Sequence, residues 1–437
     1  MRARGGKGNW YGLFLLSLIN FLNFFDRTVP AVVLEPLRRE FGLNDTQLGV
    51  LLTAFTLIYA VAGLPLGRLA DRVKRTWILA VGVFAWSVMT AASGVAHTYW
   101  TLFFARLGVG IGEASCAPAA NSMIGDMFPS ERRARALGIF MLGLPIGNVA
   151  AFGVAGVVAQ KYGWRAPFFV AAVPGLIVAL LASMLREPVR GSQEAYRVDA
   201  AVPVRAPFSR ILTIRTVWWI IASGAACNFA AYTMHSFLPA LLIRYHGLNI
   251  AQAGGVSALL LGLTGLLGLT TGGPLADRLH QLFPRGRLTF GAVALFVASP
   301  LLWFGLSRPA GALAALVVSV FFGWLLFYAY YVTVYSSLQD VVEPRLRATA
   351  MAVYFFFQYV LGGALGTLVA GALSDLYAKH AMAAAGATQM NATFRALGLQ
   401  ASMQLTVPLA TLVTSVALWR AAKSFVADAE RTRRGRS

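Results

Sequence analysis

The chain has 437 residues, of which 58% are hydrophobic and only 12% charged, and its mean hydropathy is +0.66. Soluble domains carry about 25% charged residues, so a soluble fold is excluded and lipid must be the solvent for much of the surface. The formal net charge of +20 raises nucleic-acid binding, which the placement of the charges argues against, and the two cysteines, Cys116 and Cys227, lie in apolar runs and suggest no disulfide framework.

A helix needs roughly 20 mostly apolar residues to cross a bilayer, and twelve such runs are predicted. The first six lie at 11–34, 47–70, 77–96, 99–126, 135–159 and 165–186. The others lie at 216–243, 252–276, 288–306, 310–338, 347–375 and 402–424. The start MRARGGKGNWYGLFLLSLINF resembles a signal peptide, but no small-residue cleavage site follows, so it is read as a retained first span. A polar stretch follows the sixth span, and 187–215 reads as a cytoplasmic linker between six-helix halves at 1–186 and 216–437. The segment 377–398 reads as an external amphipathic excursion, and the basic tail ERTRRGRS as a disordered, headgroup-facing end.

With a cytoplasmic N-terminus, 27 of the 37 Lys and Arg fall in inside segments and 8 in outside loops. The other two, Arg27 and Arg106, sit in or at the edge of spans. This is a strong positive-inside bias. The basic charge is therefore a topology signal and no nucleic-acid partner is expected. Both termini are expected in the cytoplasm, and a bacterial inner membrane is the expected location.

The halves echo each other. GRLADRVKR (67–75) follows the second span and GPLADRLHQ (273–281) follows the eighth, an offset of 206. PSERRARA (129–136) and PRLRATAM (344–351) follow the fourth and tenth. Duplicated helical repeats usually hold a transport site at their midplane interface.

The loop pattern G-x-L-x-D-R-x-x-R, with its partial copy, resembles the signature loop of the major facilitator superfamily. Within that superfamily NFLNFFDRTVP, GLPLGRLADRVKR and RLGVGIGEASCAPAANSMIGDMFP together resemble the Spinster group of lysophospholipid and sphingolipid transporters. The resemblance implies an all-α integral membrane protein of twelve transmembrane helices in two six-helix halves. It also implies a gating role for Asp71, which braces the halves by docking against the positive end of a helix. Arg72 and Arg75 would support it, and Asp277 is its counterpart in the second copy. A monomer is expected.

Of the seventeen acids, only Asp26 and Glu113 lie deep in a predicted span. A charge at the bilayer centre costs on the order of 3 kcal/mol or more, so such residues persist when they pair or face a cavity. Asn20, Asn23 and Arg27 share one face of the first span, with Asp26 about 100° from Arg27. Arg27 is the candidate anion-binding residue, since guanidinium grips phosphate or carboxylate bidentately. Glu113 is the preferred proton carrier over Asp26, whose neighbour Arg27 leaves it less free to shed that cation. Glycines at 108, 110 and 112 let Glu113 approach a helix carrying Arg27, a packing hypothesis, and a purely structural ion pair is the alternative.

Asn228, Tyr232 and His235 share a face of the seventh span, and Tyr328, Tyr331 and Tyr335 a face of the tenth, with Tyr330 off it. Tyr354 and Gln358 pair in the eleventh. These stripes suggest an aromatic, polar lining opposite a charged one, suited to an amphiphile with an anionic head. His235 can titrate as well, although packing is the commoner role for such a histidine. Gly143, Pro145 and Gly147 make a partial match to an exporter motif, which leaves the direction of transport open.

No phosphate-cradling loop, metal cluster or enzyme motif is present, so no cofactor, no metal and no catalytic residue are expected. The reading is a proton-linked secondary transporter of an amphipathic anionic lipid working by alternating access, with protons and membrane lipid as its other partners. Uptake of a small organic acid such as a sugar acid, and a non-transporting membrane sensor on the same fold, are the alternatives.

Overall fold

In lipid, a backbone must satisfy its own hydrogen bonds, and apolar runs do so as helices. The described residues, 7–190, 207–343 and 346–434 of a computed structural model, form helices and no strand. The first helices are α1 (Lys7–Val32), α2 (Leu34–Phe41), α3 (Asp45–Arg72), α4 (Arg75–Gly94), α5 (Tyr99–Glu113) and α6 (Cys116–Met127). Then come α7 (Ser130–Met141), α8 (Gly143–Ala150), α9 (Gly156–Tyr162), α10 (Ala166–Ser183), α11 (Pro207–Leu212) and α12 (Arg215–Arg244). They continue with α13 (Ile250–Ser257), α14 (Thr264–Leu282), α15 (Gly286–Leu306), α16 (Leu313–Phe327) and α17 (Ala329–Asp340). The last are α18 (Arg347–Phe357), α19 (Leu365–Ala384) and α20 (Ala392–Arg434). Three π-helical segments, Ala151–Ala155, Ala258–Leu263 and Gln358–Ala364, are set between α8 and α9, α13 and α14, and α18 and α19.

Among the described residues, eleven helical stretches are long and apolar enough to cross a membrane. The predicted span at 99–126 is the exception, because it breaks into α5 and α6 directly after Glu113. At the break the Ser115 hydroxyl donates to Gly112 O at 2.8 Å, taking up a carbonyl of the helical ladder. The basic tail also differs from expectation: α20 continues through Arg434, with Thr432 Oγ1 donating to Val341 O at 2.9 Å. The predicted excursion at 377–398 is largely helical, made of the end of α19 and the start of α20. Most of the predicted linker, 191–206, lies outside the described residues.

The chain forms two compact units. The first comprises Met1–Leu43, Ala54–Ala200 and Asn249–Ala258, and the second Asn44–Thr53, Ala201–Leu248 and Leu259–Ser437. In the first, Leu13, Leu16 and Ile19 of α1 share a core with Val83 and Trp86 of α4, Val109 of α5 and Phe140 of α7. Helices α4 and α5 cross where side chains are missing: a Cβ on Gly112 would stand 2.8 Å from Trp86 N and 2.9 Å from Gly82 O. Lipid gives no hydrophobic drive between helices, so close backbone packing of this kind holds them together.

In the second unit, the opening turn of α3 is held by α19 and α12. Asp375 accepts hydrogen bonds from Asp45 N at 3.1 Å and Thr46 N at 2.8 Å. A carboxylate at a helix N-terminus satisfies donors that the helix itself leaves open. Arg244 Nη1 donates to both Asp45 carboxylate oxygens at 2.8 Å, and Ser374 Oγ donates to one of them at 2.6 Å.

Candidate ligand and proton site

Consecutive residues on a helix point about 100° apart, and α1 uses that angle to send Asp26 and Arg27 to different partners. Arg27 Nε donates to Glu113 Oε2 at 2.6 Å. Asp26 instead accepts from Arg106 Nη1 at 3.2 Å and from the Thr90 hydroxyl. The sequence reading set Asp26 against its neighbour Arg27; the acid's cation is Arg106, because the turn of the helix aims it at α4 and α5. Two ion pairs thus tie α1 to α5, and all four side chains are nearly or fully buried. Burial of this much charge is tolerable because each ion has an opposite partner.

The pairing is incomplete at one atom. Glu113 Oε1 is buried without a hydrogen-bond partner among the described residues, as is Asn23 Nδ2. Asn20 is committed elsewhere: its Nδ2 donates to Phe140 O at 2.8 Å and fastens α1 to α7. Thr90, and the rings of Phe55 and Tyr59 beside the cations, belong to this neighbourhood and escaped the sequence reading. Periodicity within one helix carries no signal for partners on another.

Of the predicted gating residues, the Asp71 side chain lies outside the described residues, and Arg72 is exposed at the end of α3. Arg75 is the first residue of α4. It is 1% exposed and enclosed at the start of α4. Its Nη1 donates to Asp126 Oδ2 at 2.5 Å and Ser122 Oγ at 2.7 Å, its Nε to Glu187 Oε1 at 2.7 Å, and its Nη2 to Pro188 O at 2.9 Å. Burial alone would raise the Glu187 carboxyl, but bonds from Thr76 N–H and Arg75 outweigh it and hold the group below its ordinary value. Asp277 accepts from Arg287 Nε at 3.0 Å and Nη2 at 2.7 Å.

In the second unit the predicted lining residues meet. Gln358 Nε2 donates to Asn228 Oδ1 at 3.1 Å, and Asn228 Nδ2 returns a bond to Gln358 O at 3.3 Å, across the start of a π-helical segment. Tyr232 meets Tyr359 edge-on at 6.3 Å. Ring contacts run from Tyr328 to Tyr331 at 5.8 Å, on to Tyr335 at 6.3 Å, and from Tyr335 to Tyr354 at 6.0 Å. Tyr330, set off the face by periodicity, joins them, because its hydroxyl lies 2.8 Å from that of Tyr354 and 3.3 Å from Ser223 Oγ. Tyr328 donates to Leu261 O at 3.0 Å. His235 Nδ1 lies 3.1 Å from Ala231 O, and its ring is 6.3 Å from Trp324. Among the described residues no cluster of His, Cys, Asp or Glu is placed to hold a metal.

The family model described as Major Facilitator Superfamily matches residues 16–367. The chain belongs to this superfamily. It is 31% identical over 375 residues to an MFS-type efflux pump of Mycolicibacterium smegmatis, covering 85% of this chain and 86% of that one. It is 29% identical over 389 residues to Protein spinster of Drosophila melanogaster, covering 86% of this chain and 63% of the fly protein. Among solved structures, it is similar to a bacterial homologue of the human lysosomal transporter Spinster, captured inward-facing and unoccupied. That match has a TM-score of 0.87 at 28% identity and covers 97% of this chain and 98% of the other. The chain is a multi-pass membrane transporter and not an enzyme, and it is similar to Spinster proteins.

Proposed function

We propose that this transporter is proton-linked and moves an amphipathic anionic lipid, such as a lysophospholipid or a sphingolipid-like molecule, by alternating access. The moving parts are two six-helix repeats, 1–186 and 216–437, joined by 187–215, within a monomer. The observation that carries the reading is the Arg27–Glu113 pair, whose Glu113 Oε1 has no hydrogen-bond partner among the described residues. A guanidinium that grips one carboxylate can exchange it for a phosphate or another carboxylate, with the same planar donor geometry. A proton on Glu113 removes the competing charge and frees Arg27 for the headgroup. Its departure restores the ion pair and expels the anion. Asp26 stays with Arg106 and Thr90 and is the secondary proton carrier. Asn20 and Asn23 flank Arg27 on α1, and Asn228, Tyr232, Tyr328, Tyr331, Tyr335, Tyr354 and Gln358 take the less polar part of the lipid. His235, held against a backbone carbonyl among aromatic rings, is assigned to packing. Asp71, Arg72, Arg75 and Asp277 serve the gating loops. Similarity to an efflux pump supports export as the direction.

The test uses purified protein in liposomes with labelled lysophospholipid and an imposed pH gradient. Wild type is expected to transport with the gradient, Arg27→Ala to lose transport, and Glu113→Gln to transport without responding to pH. Movement of a short sugar acid but no lipid by wild type would replace the lipid with the smaller anion. Ligand binding without flux, indifferent to the gradient, would make the chain a sensor. Normal transport by both variants would reduce the pair to a packing device.

A further inference from the structure

Arg27 is held from a second direction that Glu113 does not account for. Its guanidinium carbon lies 4.0 Å from the centre of the Tyr59 ring, 5.6 Å from that of Phe55 and 5.3 Å from that of Phe24. The guanidinium carbon of Arg106 lies 5.2 Å from the same Phe55 ring. Phe55 and Tyr59 are one turn apart on α3, with rings 6.4 Å apart and inclined by only 19°. One aromatic face of α3 therefore meets both cations of the buried network. The approach depends on Gly110 of α5, where a Cβ would stand 2.6 Å from Ile58 Cγ2 and 3.1 Å from Phe55 O. Any larger residue would push the aromatic face of α3 away from the cations.

An aromatic ring attracts a cation through the negative face of its quadrupole. The guanidinium donors all lie in its own plane, along its edge. A ring on the face thus anchors the cation without neutralising it and without filling the edge, whereas a second acid would do both. We propose that Phe55 and Tyr59 are positioning residues that fix Arg27 by its face and keep its N–H edge turned to Glu113 and to an arriving oxyanion. This rests on the proposal that Arg27 binds the anionic headgroup, and it adds α3 to the elements that set headgroup affinity. When Glu113 takes a proton, the rings keep the guanidinium in place, so the anion meets a preset cation.

The experiment compares wild type, Tyr59→Phe, Tyr59→Leu, Phe55→Leu and Arg27→Ala in proteoliposomes with labelled lysophospholipid. Thermal unfolding in detergent is recorded for each. Tyr59→Leu is expected to raise KM roughly 2- to 30-fold, the range a cation–π contact spans. Its kcat should stay nearly unchanged, because the lost contact is made in both the ground and the transition state. Tyr59→Phe keeps the ring and should behave as wild type. An unchanged KM in Tyr59→Leu, or an equal rise in Tyr59→Phe, overturns the proposal. If Tyr59→Leu does not fold, Phe55→Leu, which touches both cations, carries the same test. Thermal unfolding of Tyr59→Leu, Arg27→Ala and the double variant reads the contact without any substrate; non-additive losses are expected, and strict additivity overturns the cradle. Arg27→Ala with normal transport would instead overturn the headgroup reading, and its inactivity beside a normal Tyr59→Leu would overturn only the role of the rings.

Discussion

Arg27 donates to one oxygen of Glu113 at 2.6 Å while the other oxygen of that carboxylate is buried with no hydrogen-bond partner among the described residues. A buried ion pair left half satisfied in this way contributes little net stability and much constraint. Removing one member strands the other charge, whereas removing both removes the problem.

Arg27→Leu and Glu113→Leu are each expected to destabilise the protein by about 3–5 kcal/mol, with the double variant near wild type in stability. Unfolding in detergent checks the energies. Flux in proteoliposomes checks the other half of the expectation, since the stable double variant should not transport.

Arg75 presents a different case, because four acceptors surround it. Arg75→Ala should cost about 3–5 kcal/mol by removing the buried cation that Asp126 and Glu187 share. Arg75→Lys should recover only part, since an ammonium cannot fork toward acceptors on both sides. Unfolding temperatures of the two variants against wild type decide this. Equal stability of Arg75→Lys and wild type would mean that charge alone matters there.

The opening turn of α3 depends on an acid far along the chain. Asp375→Ala removes the acceptor for Asp45 N and Thr46 N and should cost about 0.5–2 kcal/mol, as loss of an N-terminal cap does. Hydrogen exchange at the start of α3 would report the loss locally, as faster exchange at Thr46 than in wild type.

Acidification should weaken one outer contact in a predictable direction. Glu40 accepts two bonds from Arg165 and one from the Trp164 indole, and the Arg165 bond is the main reason its carboxyl lies below the ordinary value. A lowered folded value gives stabilisation that is complete above the ordinary glutamate pKa of about 4.3. It fades as the pH falls through the lower folded value. The group is 40% exposed, so solvent screens the pair and the effect is small. Melting curves of wild type and Glu40→Gln at pH 6 and pH 3 test it, with a shallower acid loss expected for the variant.

Sequence alone made the membrane class, the helical content and three odd charges legible, because Asp26, Arg27 and Glu113 stand in runs that tolerate no charge without a reason. It did not give Asp26 its partner. Arg106 is 80 residues away, and only the rotation of α1 against α5 decides which cation it meets. Arg75 read as a loop residue for the same cause, since Asp126 and Glu187 reach it from 51 and 112 residues along the chain. The break after Glu113 was hidden because its composition is that of a continuous span. Tyr330 lies off the face of Tyr331 and Tyr335, and its link to the cluster runs through Tyr354 on another helix, which the periodicity of one helix does not carry.

The π-helical stretch Gln358–Ala364 makes residue count a structural variable. A π turn holds more residues than an α turn, so it absorbs one extra residue while the helix beyond keeps its aim. Deleting one residue there would let the backbone close as ordinary helix, with Leu365–Ala384 facing nearly as before. The same deletion between Leu365 and Ser374, where the helix is α, would instead turn everything beyond it by about 100°. Asp375 would then swing off the start of α3, and the pair Ser374–Asp45 would part with it. The wide turn is thus the one stretch of this helix where a residue can be lost without losing the grip on α3.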